Sequence, residues 1–374
     1  MSSPDAADPK PVEAKRPYDA ALPPVEAPTG AFIMQLFLIP LAIVSIVVLL
    51  WLSFSWLAQA GRDDPQKLIT DLKRSTGGTN DVSWQSAYTL AELLRSPDQR
   101  YDELRRDRKI AAELIELVED DVKHPLKGGT DKGDQQRIER RMFLCRALGS
   151  FTIPDAAPLL TRLANLERDP VEVEVRLAAL EGIATLARNV GPEEFRKDEK
   201  VVQGVLEASR AVDDSVKPIA KDKDTTYRPR SEVRAVAAFA LGVIGGEDAQ
   251  KRLTIMLSDG YAAARYNAAT GLCRHGDEAA TRVLKEMLSP DNPQADKDER
   301  YAPDKDRKRV AVLVAGISGA VTLAEQNPNA DMAPLIAALK ELANSPLDKV
   351  ISERAKVKNL AAEAYRRLEA REKN

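Results

Sequence analysis

The residues of this sequence that could hold a metal ion are an acidic run and the histidine after it. Glu119, Asp120 and Asp121 stand a few positions before His124. Carboxylate oxygens bind hard cations such as Ca²⁺, but these ligands must converge in a cage, and nothing in this stretch fixes one. We therefore predict an exposed acidic helix end here and no metal site.

A second candidate is the pair Cys273 and His275, which could give a thiolate activated by an imidazole. On a helix, however, a spacing of two residues directs the two side chains to different faces. We expect His275 to lie at a helix end or on the surface. Cys145 and Cys273 both fall within helical patterns, which predicts two buried free thiols.

Other patterns typical of enzymes are missing from the sequence. It has two histidines, no Cys-x-x-Cys pair, no glycine-rich phosphate loop after a strand and no nucleophile elbow. We therefore predict that the protein is not an enzyme and that it has no catalytic residue, no cofactor and no bound metal.

The charge balance argues against nucleic acid as a partner. The 374 residues carry a net charge of −3, and basic and acidic residues almost cancel beyond residue 61. A DNA-binding or RNA-binding surface needs an excess of lysine and arginine. Aromatic residues make up 5% of the chain, too few to suggest platforms for stacking bases.

An uncharged apolar run near the N-terminus predicts a membrane anchor. No charged residue occurs from Gly30 to Ala60, and about 20 apolar residues suffice for a helix to cross the bilayer. Trp51, Phe54 and Trp56 lie near the far end of the run, where aromatic rings favour the lipid–water interface. The sequence therefore predicts a transmembrane helix at residues 30–58.

A cleaved secretory signal is the competing interpretation, since Ala58-Gln59-Ala60 has the small-x-small form of a cleavage site. A signal has an apolar region of about 7–15 residues behind a short positive leader. This run is much longer, and it follows residues 1–29, a mostly acidic, proline-rich stretch that predicts a flexible tail. An uncleaved anchor fits the sequence better.

The orientation of the anchor follows from the lysines and arginines beside it. The N-terminal side offers Lys15 and Arg16, and the opposite side offers Arg62, Lys67, Lys73 and Arg74. The positive-inside rule then predicts a single-pass protein of the inner membrane with its large C-terminal domain in the cytoplasm.

The rest of the chain, residues 62–374, contains internal repeats. The 27 residues from Val233, VRAVAAFALGVIGGEDAQKRLTIMLSD, align without a gap with the 27 from Ala264, ARYNAATGLCRHGDEAATRVLKEMLSP, and eleven positions are identical. The identical pairs include Arg234 with Arg265, Leu241 with Leu272, and Gly245 with Gly276. The unit predicts a helical hairpin that cannot bury its apolar stripe alone, so that successive units must stack.

Each part of the repeat has a predicted role. Ala237 and Ala238 are small and allow a neighbouring helix to approach closely. Gly245 permits the left-handed conformation that ends the first helix. Leu253 and Met256 then supply the apolar side of the second helix.

Weaker copies flank the strong pair, and three Ser-Pro or Asp-Pro pairs predict helix starts with a capping side chain before a proline. The weaker copies lie at Trp84–Leu94, Arg141–Leu160, Val175–Ile183 and Val357–Ala364, and the predicted starts are at Ser96-Pro97, Asp169-Pro170 and Ser345-Pro346.

The repeat resembles the short HEAT-like family first named from phycobilisome lyases, with the consensus VR..AA.ALG.IGD..A...L...L.D. The resemblance is strong over residues 233–290 and moderate over 140–190. It implies an all-α fold, an α-solenoid of HEAT-like helical hairpins with a concave partner-binding surface, here preceded by one transmembrane helix. The whole arrangement looks like bacterial membrane-anchored HEAT-repeat proteins. A shared repeat does not imply lyase activity.

Enzymes that hydroxylate protein substrates also resemble this fold, and they need several His-Glu pairs to hold two irons. In this sequence His124 precedes Pro125 and His275 precedes Gly276, so that site is absent.

Two polar segments interrupt the repeats, Lys221–Arg230 and Asp291–Arg309. Their mixed charges and prolines predict solvated loops between helices. A docking role for either segment stays open, because insertions in repeat arrays often lie on one binding face.

The function predicted from these features is a membrane-anchored scaffold or accessory subunit that binds another protein, for example a membrane complex, through the solenoid surface. The alternative is an enzyme or chromophore-attachment factor built on the same repeats. That alternative requires an apolar cleft with convergent polar groups, which a sequence cannot display.

Overall fold

The computed structural model describes residues 30–60, 64–74, 81–126, 132–168, 172–211, 230–299, 301–350 and 352–372. The chain divides into two compact units, Met1–Gly61 and Arg62–Asn374. The predicted tail at residues 1–29 lies outside the described residues.

Helix α1 spans Gly30–Ala60, and its 31 residues include no charge. Every side chain described between Met34 and Ser53 is exposed, including Leu41, Leu49 and Trp51. The side chains of Phe54 and Trp56 are outside the described set. Helix α1 therefore has an apolar surface that is not buried within its own unit.

In its described part, the second unit consists of α-helices, short 3₁₀ turns and connections, without a strand. Its helices are α2 (Pro65–Arg74), α3 (Asp81–Arg95), α4 (Asp102–Arg106), α5 (Arg108–Lys123), α6 (Lys132–Gly149), α7 (Ala157–Ala164), α8 (Val173–Val190), α9 (Pro192–Phe195), α10 (Glu199–Ala208), α11 (Arg230–Ile244), α12 (Glu247–Met256), α13 (Ala262–Cys273), α14 (Thr281–Leu288), α15 (Ala302–Gln326), α16 (Ala333–Asn344) and α17 (Arg354–Glu372).

These helices form two series, which we call the first helices (α3, α6, α8, α11, α13, α15 and α17) and the second helices (α5, α7, α10, α12, α14 and α16). Each first helix contacts the next one along the chain. Each second helix from α5 to α16 contacts the first helix that follows it. The core is one continuous cluster of buried leucine, alanine, valine and isoleucine side chains between the two series.

The strong repeat pair has the predicted form. Helices α11 and α12 make one hairpin, and α13, a 3₁₀ turn and α14 make the next. Leu241 and Leu272 are both 0% exposed. Gly245 and Gly276 have φ angles of 68° and 71°, so both occupy the left-handed region that ends each first helix.

Adjacent first helices approach most closely at glycines. A Cβ on Gly149 would lie 2.5 Å from the Cα of Gly182, and one on Gly242 would lie 2.6 Å from the Cα of Gly271. The predicted close approach is therefore present, and Ala237 is buried as expected. Glycine–glycine crossings between α6 and α8 and between α11 and α13 set the separation of these helices.

Two of the predicted helix starts are wrong. At Ser96-Pro97 the helical turn begins at Gln99 instead, because the Asp98 carboxylate accepts hydrogen bonds from the Arg100 backbone. Ser345 ends α16, and no helix begins at Pro346, since α17 starts at Arg354. Asp169-Pro170 lies outside the described residues.

The charged segment Asp291–Arg309 is not simply a solvated loop. Helix α15 begins at Ala302, so the end of the segment is helical. Asn292 and Asp296 are buried. Their polar groups have partners there, since Asn292 donates to the Tyr266 hydroxyl (2.8 Å) and Asp296 pairs with Arg309 (2.7 Å). Of the other insertion, Arg230 begins α11 and the rest lies outside the described residues.

Within the part of the chain that the structure describes, α15 is the one helix long and apolar enough to cross a membrane. Half of its apolar window is buried, and it contacts α13, α14 and α17. It is therefore a core helix of the second unit. The corresponding apolar stretch within α1, Pro40–Ser53, is shorter.

Candidate interaction surface

The acidic run lies at the end of α5 as predicted, and Glu119 and His124 are exposed, but Asp121 is buried. Asp121 is only 5% exposed, and its carboxylate lies 2.7 Å from Nε of Arg141 on α6. Arg141 also donates to the backbone oxygens of Asp121 and His124, at 2.6 and 2.7 Å. Burial of these two opposite charges is tolerated because they are paired with each other and hydrogen-bonded.

The other members of that run have separate partners. Glu119 pairs with Arg162 of α7 at 2.8 Å, Asp120 lies 3.6 Å from Lys123, and Nδ1 of His124 is 3.1 Å from the Asp120 backbone oxygen. These side chains do not converge. Among the described residues, no group of three His, Cys, Asp or Glu side chains could hold a metal ion.

The two cysteines are buried and free, as predicted. Burial raises the pKa of both thiols, Cys145 and Cys273, to about 12. A protonated buried thiol is a poor nucleophile. His275 follows the end of α13, and its Nε2 lies 3.1 Å from the backbone oxygen of Gly242, which confirms it as a helix-end residue.

A series of arginines fixes the first helices in place. Arg176, Arg234 and Arg265 occupy corresponding positions near the start of α8, α11 and α13. Each donates to a backbone carbonyl at the end of the preceding second helix or just beyond it, Ala164 (2.9 Å), Ala211 (2.8 Å) and Asp259 (2.8 Å) respectively. Arg141 does the same on α6. Carbonyls at a helix C-terminus lack partners within their helix, so these guanidinium groups satisfy them.

Each of these arginines also binds a carboxylate. The pairs are Arg141 with Asp121, Arg176 with Glu167, Arg234 with Asp259, and Arg265 with Glu286. The sequence alignment placed these arginines at equivalent positions but gave no reason for them. Their role is to join consecutive repeats, and it leaves none of their charge for a ligand.

The first helices have one side that is not covered by the second helices, and we call it the first-helix face. Side chains link neighbouring helices along it: the Tyr88 and Phe143 rings meet edge to face at 5.1 Å, and Arg146 pairs with Glu181. Its partly or fully exposed residues are Tyr88, Phe143, Arg146, Glu181, Thr185, Arg188, Val236, Phe239, Val243, Asn267, Thr270, Arg274, Ala311, Ala315 and Ser318.

The middle of this face carries an apolar stripe on α11, with Arg188 and Arg274 on the two neighbouring helices. On α11 the stripe that faces away from the second helices is Val236, Phe239 and Val243, spaced three and four residues apart. Each of these side chains is partly exposed and also packs against the core. The corresponding stripe on α13 contains Asn267 and Thr270. A solvent-facing stripe on a helix of a water-soluble surface is normally polar. This part of the face is therefore unusual for a surface that contacts only water.

The opposite side, which we call the second-helix face, is strongly charged. Its exposed side chains include Arg108, Glu116, Lys200, Glu207, Glu247, Lys251, Lys285, Lys340 and Glu341. Several of these form the short-range pairs of an ordinary solvated helix surface, such as Glu247 with Lys251. Among the described second helices, Ile255 on α12 is the one large apolar side chain that is exposed.

An open cleft of about 690 Å³ lies beside α7 and α10. Its walls include Asp155, Glu194, Lys197 and Lys200, with Phe195 and two prolines. These charges face open solvent and do not converge on one point. The cleft therefore lacks the apolar, enclosed form of a small-molecule site.

Comparison with known proteins identifies the repeat. Residues 225–299 match the family model described as HEAT repeats. No curated protein sequence matches this chain. Residues 225–299 include the strong internal pair, and the hairpins α11–α12 and α13–α14 carry it in the structure.

Two solved structures are similar in arrangement. The complex of CpcE and CpcF of phycocyanin lyase from a Nostoc species shares 18% identity over 80% of this chain and 94% of that chain, with a TM-score of 0.43. Human deoxyhypusine hydroxylase shares 17% identity over 83% of this chain and 98% of that chain, with a TM-score of 0.27. These likenesses are too distant to indicate a function. On its repeated sequence, the family model matched at residues 225–299 and its helical hairpins, this is a chain with HEAT repeats that is helical throughout its described secondary structure.

Proposed function

We propose that this protein is a membrane-anchored scaffold that binds a protein partner through the first-helix face. The observation that carries the proposal is the apolar stripe of Val236, Phe239 and Val243 in the middle of that face, whose side chains are partly exposed. Contiguous apolar surface on a soluble domain is typical of an interaction site. HEAT repeats themselves favour protein–protein interaction.

The arrangement of helices supports an extended surface and not a local pocket. Because each first helix contacts the next in chain order, the stripes of α11, α13 and α15 lie side by side. We interpret the two series as an α-solenoid, in which stacked repeats present one continuous surface. Interfaces between proteins have such an apolar centre with a polar rim.

The surface of helix α1 supports its proposed role as a membrane anchor. Its described side chains from Leu41 to Leu52 are exposed and almost all apolar. Burying one such side chain is worth about 1.5–3 kcal/mol, so a free α1 in water would be strongly unfavourable. A lipid bilayer covers such a helix completely. We propose that α1 spans the membrane and that the repeat domain lies in the cytoplasm.

We further propose that the protein is not an enzyme. The thiols are buried and protonated, the arginines at the repeat junctions are paired, and the cleft beside α7 and α10 has no convergent groups. Purification of the native protein with a bound coloured or small molecule would instead favour a chromophore-attachment factor or enzyme.

The binding surface can be tested by photo-crosslinking from native membranes. A photoreactive amino acid is placed at Val243 on the first-helix face and, as the matched control, at Lys285 on the second-helix face. We expect a discrete adduct with one protein from position 243 and none from position 285. The absence of an adduct at 243, or the same adduct from both positions, would overturn the proposal.

The anchor has its own test. Val44→Arg with Val47→Arg should release the full chain from membranes at alkaline pH, whereas Val44→Ala with Val47→Ala should leave it embedded, because charge at the bilayer centre costs about 2.5–3.5 kcal/mol per residue. A reporter fused after Asn374 should be cytoplasmic. An alkaline phosphatase fused there and active in the periplasm would refute the orientation and revive the cleaved-signal alternative.

A further inference from the structure

Two arginines lie on the helices next to α11, and one of them contacts the aromatic ring in the middle of the first-helix face. Arg274 caps the end of α13, and Arg188 lies in the last turn of α8, with α11 between these two helices. The guanidinium carbon of Arg274 lies 5.3 Å from the centre of the Phe239 ring. Phe239 is therefore partly exposed, packs against the core and lies beside a cation.

Arg188 and Arg274 are both exposed side chains at the C-terminal ends of helices that pack against α11. Desolvation of the guanidinium beside Phe239 lowers the pKa of Arg274, and the positive charge of Arg188 lowers it further. Like charges held together on a surface raise its free energy unless something compensates them. The negative ends of the α8 and α13 dipoles supply part of that compensation.

No carboxylate supplies the rest within the described residues. Neither Arg188 nor Arg274 forms an ion pair there, although the arginines at the repeat junctions, such as Arg234 with Asp259, are all paired. The apolar neighbours Val236 and Val243 cannot compensate charge either. Among the described residues, the surface thus combines a partly exposed apolar stripe with positive charge that forms no ion pair.

We propose that this part of the first-helix face binds a segment of the partner protein that carries an acidic side chain between apolar ones. This inference rests on the proposed function, because it names the chemistry of the partner at the same surface. Apolar side chains of the segment cover Val236, Phe239 and Val243. Its carboxylate lies between Arg188 and Arg274, where charge-assisted hydrogen bonds with guanidinium groups are strong.

The test selects peptides on the full chain in detergent micelles from a displayed library of random 16-residue peptides. We expect the enriched sequences to combine apolar residues with Asp or Glu. A fluorescent synthetic copy of the most enriched peptide then measures affinity. Arg188→Glu and Arg274→Glu should each weaken binding at least about tenfold.

Two matched variants separate this chemistry from general effects. Arg274→Lys keeps the charge and should retain most of the affinity, and Lys285→Glu reverses a charge on the second-helix face and should change nothing. Affinity losses count for variants that keep the helical circular dichroism spectrum. Should Arg274→Glu unfold, Arg188→Glu and Arg274→Gln provide the comparison, since neither places a negative charge at the end of α13.

Neutral or basic enriched peptides, no enrichment over the empty support, or affinity unchanged by both arginine reversals would overturn the inference. The proposed function is judged separately by crosslinking from Val243. An adduct at that position together with any of these outcomes means that the face binds its partner through other chemistry. No adduct there means that the proposed function fails as well.

Discussion

The first-helix face and the second-helix face belong to the same repeats but carry different side chains. On α12 the exposed residues include Glu247, Asp248 and Lys251, and they resemble those of any solvated helix. On α11 the stripe that faces away from the second helices is Val236, Phe239 and Val243. One hairpin therefore presents a charged helix on one side and an apolar stripe on the other.

This difference separates stability from binding. The buried layer between the two faces contains the leucines, the glycine crossings and the paired arginines, so we expect most of the folding free energy to come from there. Val236, Phe239 and Val243 also pack against the core, so variants there need a check of folding. Changes of exposed side chains on either face should leave the fold intact. On the first-helix face alone, they should alter partner binding.

The largest expected effect is in the buried layer, at Asp121. Replacing Asp121 with Ala leaves the Arg141 guanidinium buried without its carboxylate, which costs about 3–5 kcal/mol in comparable buried pairs. Chemical unfolding of residues 62–374, followed by circular dichroism, measures the loss. Glu247→Ala removes the carboxylate of an exposed pair and serves as control, for which we expect no measurable change. Equal results for the two variants would contradict the burial of Asp121.

The leucines that occupy equivalent positions in the strong repeat pair come next. Leu241→Ala and Leu272→Ala should each lower the free energy of unfolding by about 2–5 kcal/mol, because both side chains are fully buried and leave cavities. The same experiment requires residues 62–374 to be soluble and helical without the anchor, as we predict. Mainly strand or disorder in circular dichroism would refute the fold.

A smaller loss is expected at the crossing of α6 and α8. Gly149→Ala would place a Cβ 2.5 Å from the Gly182 backbone, and helices forced apart in this way typically lose about 1–3 kcal/mol. Gly260→Ala is the control, since nothing lies within 4 Å of its added Cβ. Similar unfolding midpoints for the two variants would show that the glycine crossing is not needed.

The smallest effects should come from exposed lysines. Lys297→Ala and Lys305→Ala should each change the free energy of unfolding by less than about 0.5 kcal/mol, as at other exposed positions. Both side chains are exposed, and Lys305 lies in the first turns of α15. Losses comparable to that of Leu241→Ala would mean that the charged segment belongs to the core.

The repeat was predictable from the sequence because its signals are local. Gly245 and Gly276 end their helices through backbone conformation, and Leu241 and Leu272 follow the helical period within one hairpin. The alignment of two copies shows both features without knowledge of the neighbouring helices.

Features that depend on contacts between repeats were harder to predict. The burial of Asp121 depends on Arg141, which lies 20 residues away on another helix. The glycine crossing needs Gly149 and Gly182 to meet, and they do not occupy aligned positions in the repeats. The sequence did not predict the helical turn that begins at Gln99. Ser96 and Asp98 are both suitable N-terminal caps, and Asp98 is the one that caps this turn.

The first-helix face could be predicted only in part. The sequence implied a binding surface through its resemblance to HEAT-like repeats, but it did not show which stripe is left uncovered. Phe239 and Val243 are apolar and helical in period, which is equally typical of core residues. Only the packing of α8 and α13 beside α11 shows that these side chains reach solvent.

The most direct test of the account compares partner recovery for one variant on each face. The full chain is purified from native membranes with Val236→Ser and Val243→Ser on the first-helix face, or with Ile255→Ser on the second-helix face, and co-purifying proteins are quantified. Ile255 is a suitable control because it is apolar and 65% exposed. We predict that the partner recovered with the native chain falls by about tenfold or more with the first variant, since apolar side chains at the centre of an interface dominate its affinity. We predict no change with the second variant. Undiminished recovery with Val236→Ser and Val243→Ser, in a chain that keeps its helical spectrum, would contradict the assignment of the first-helix face as the binding surface.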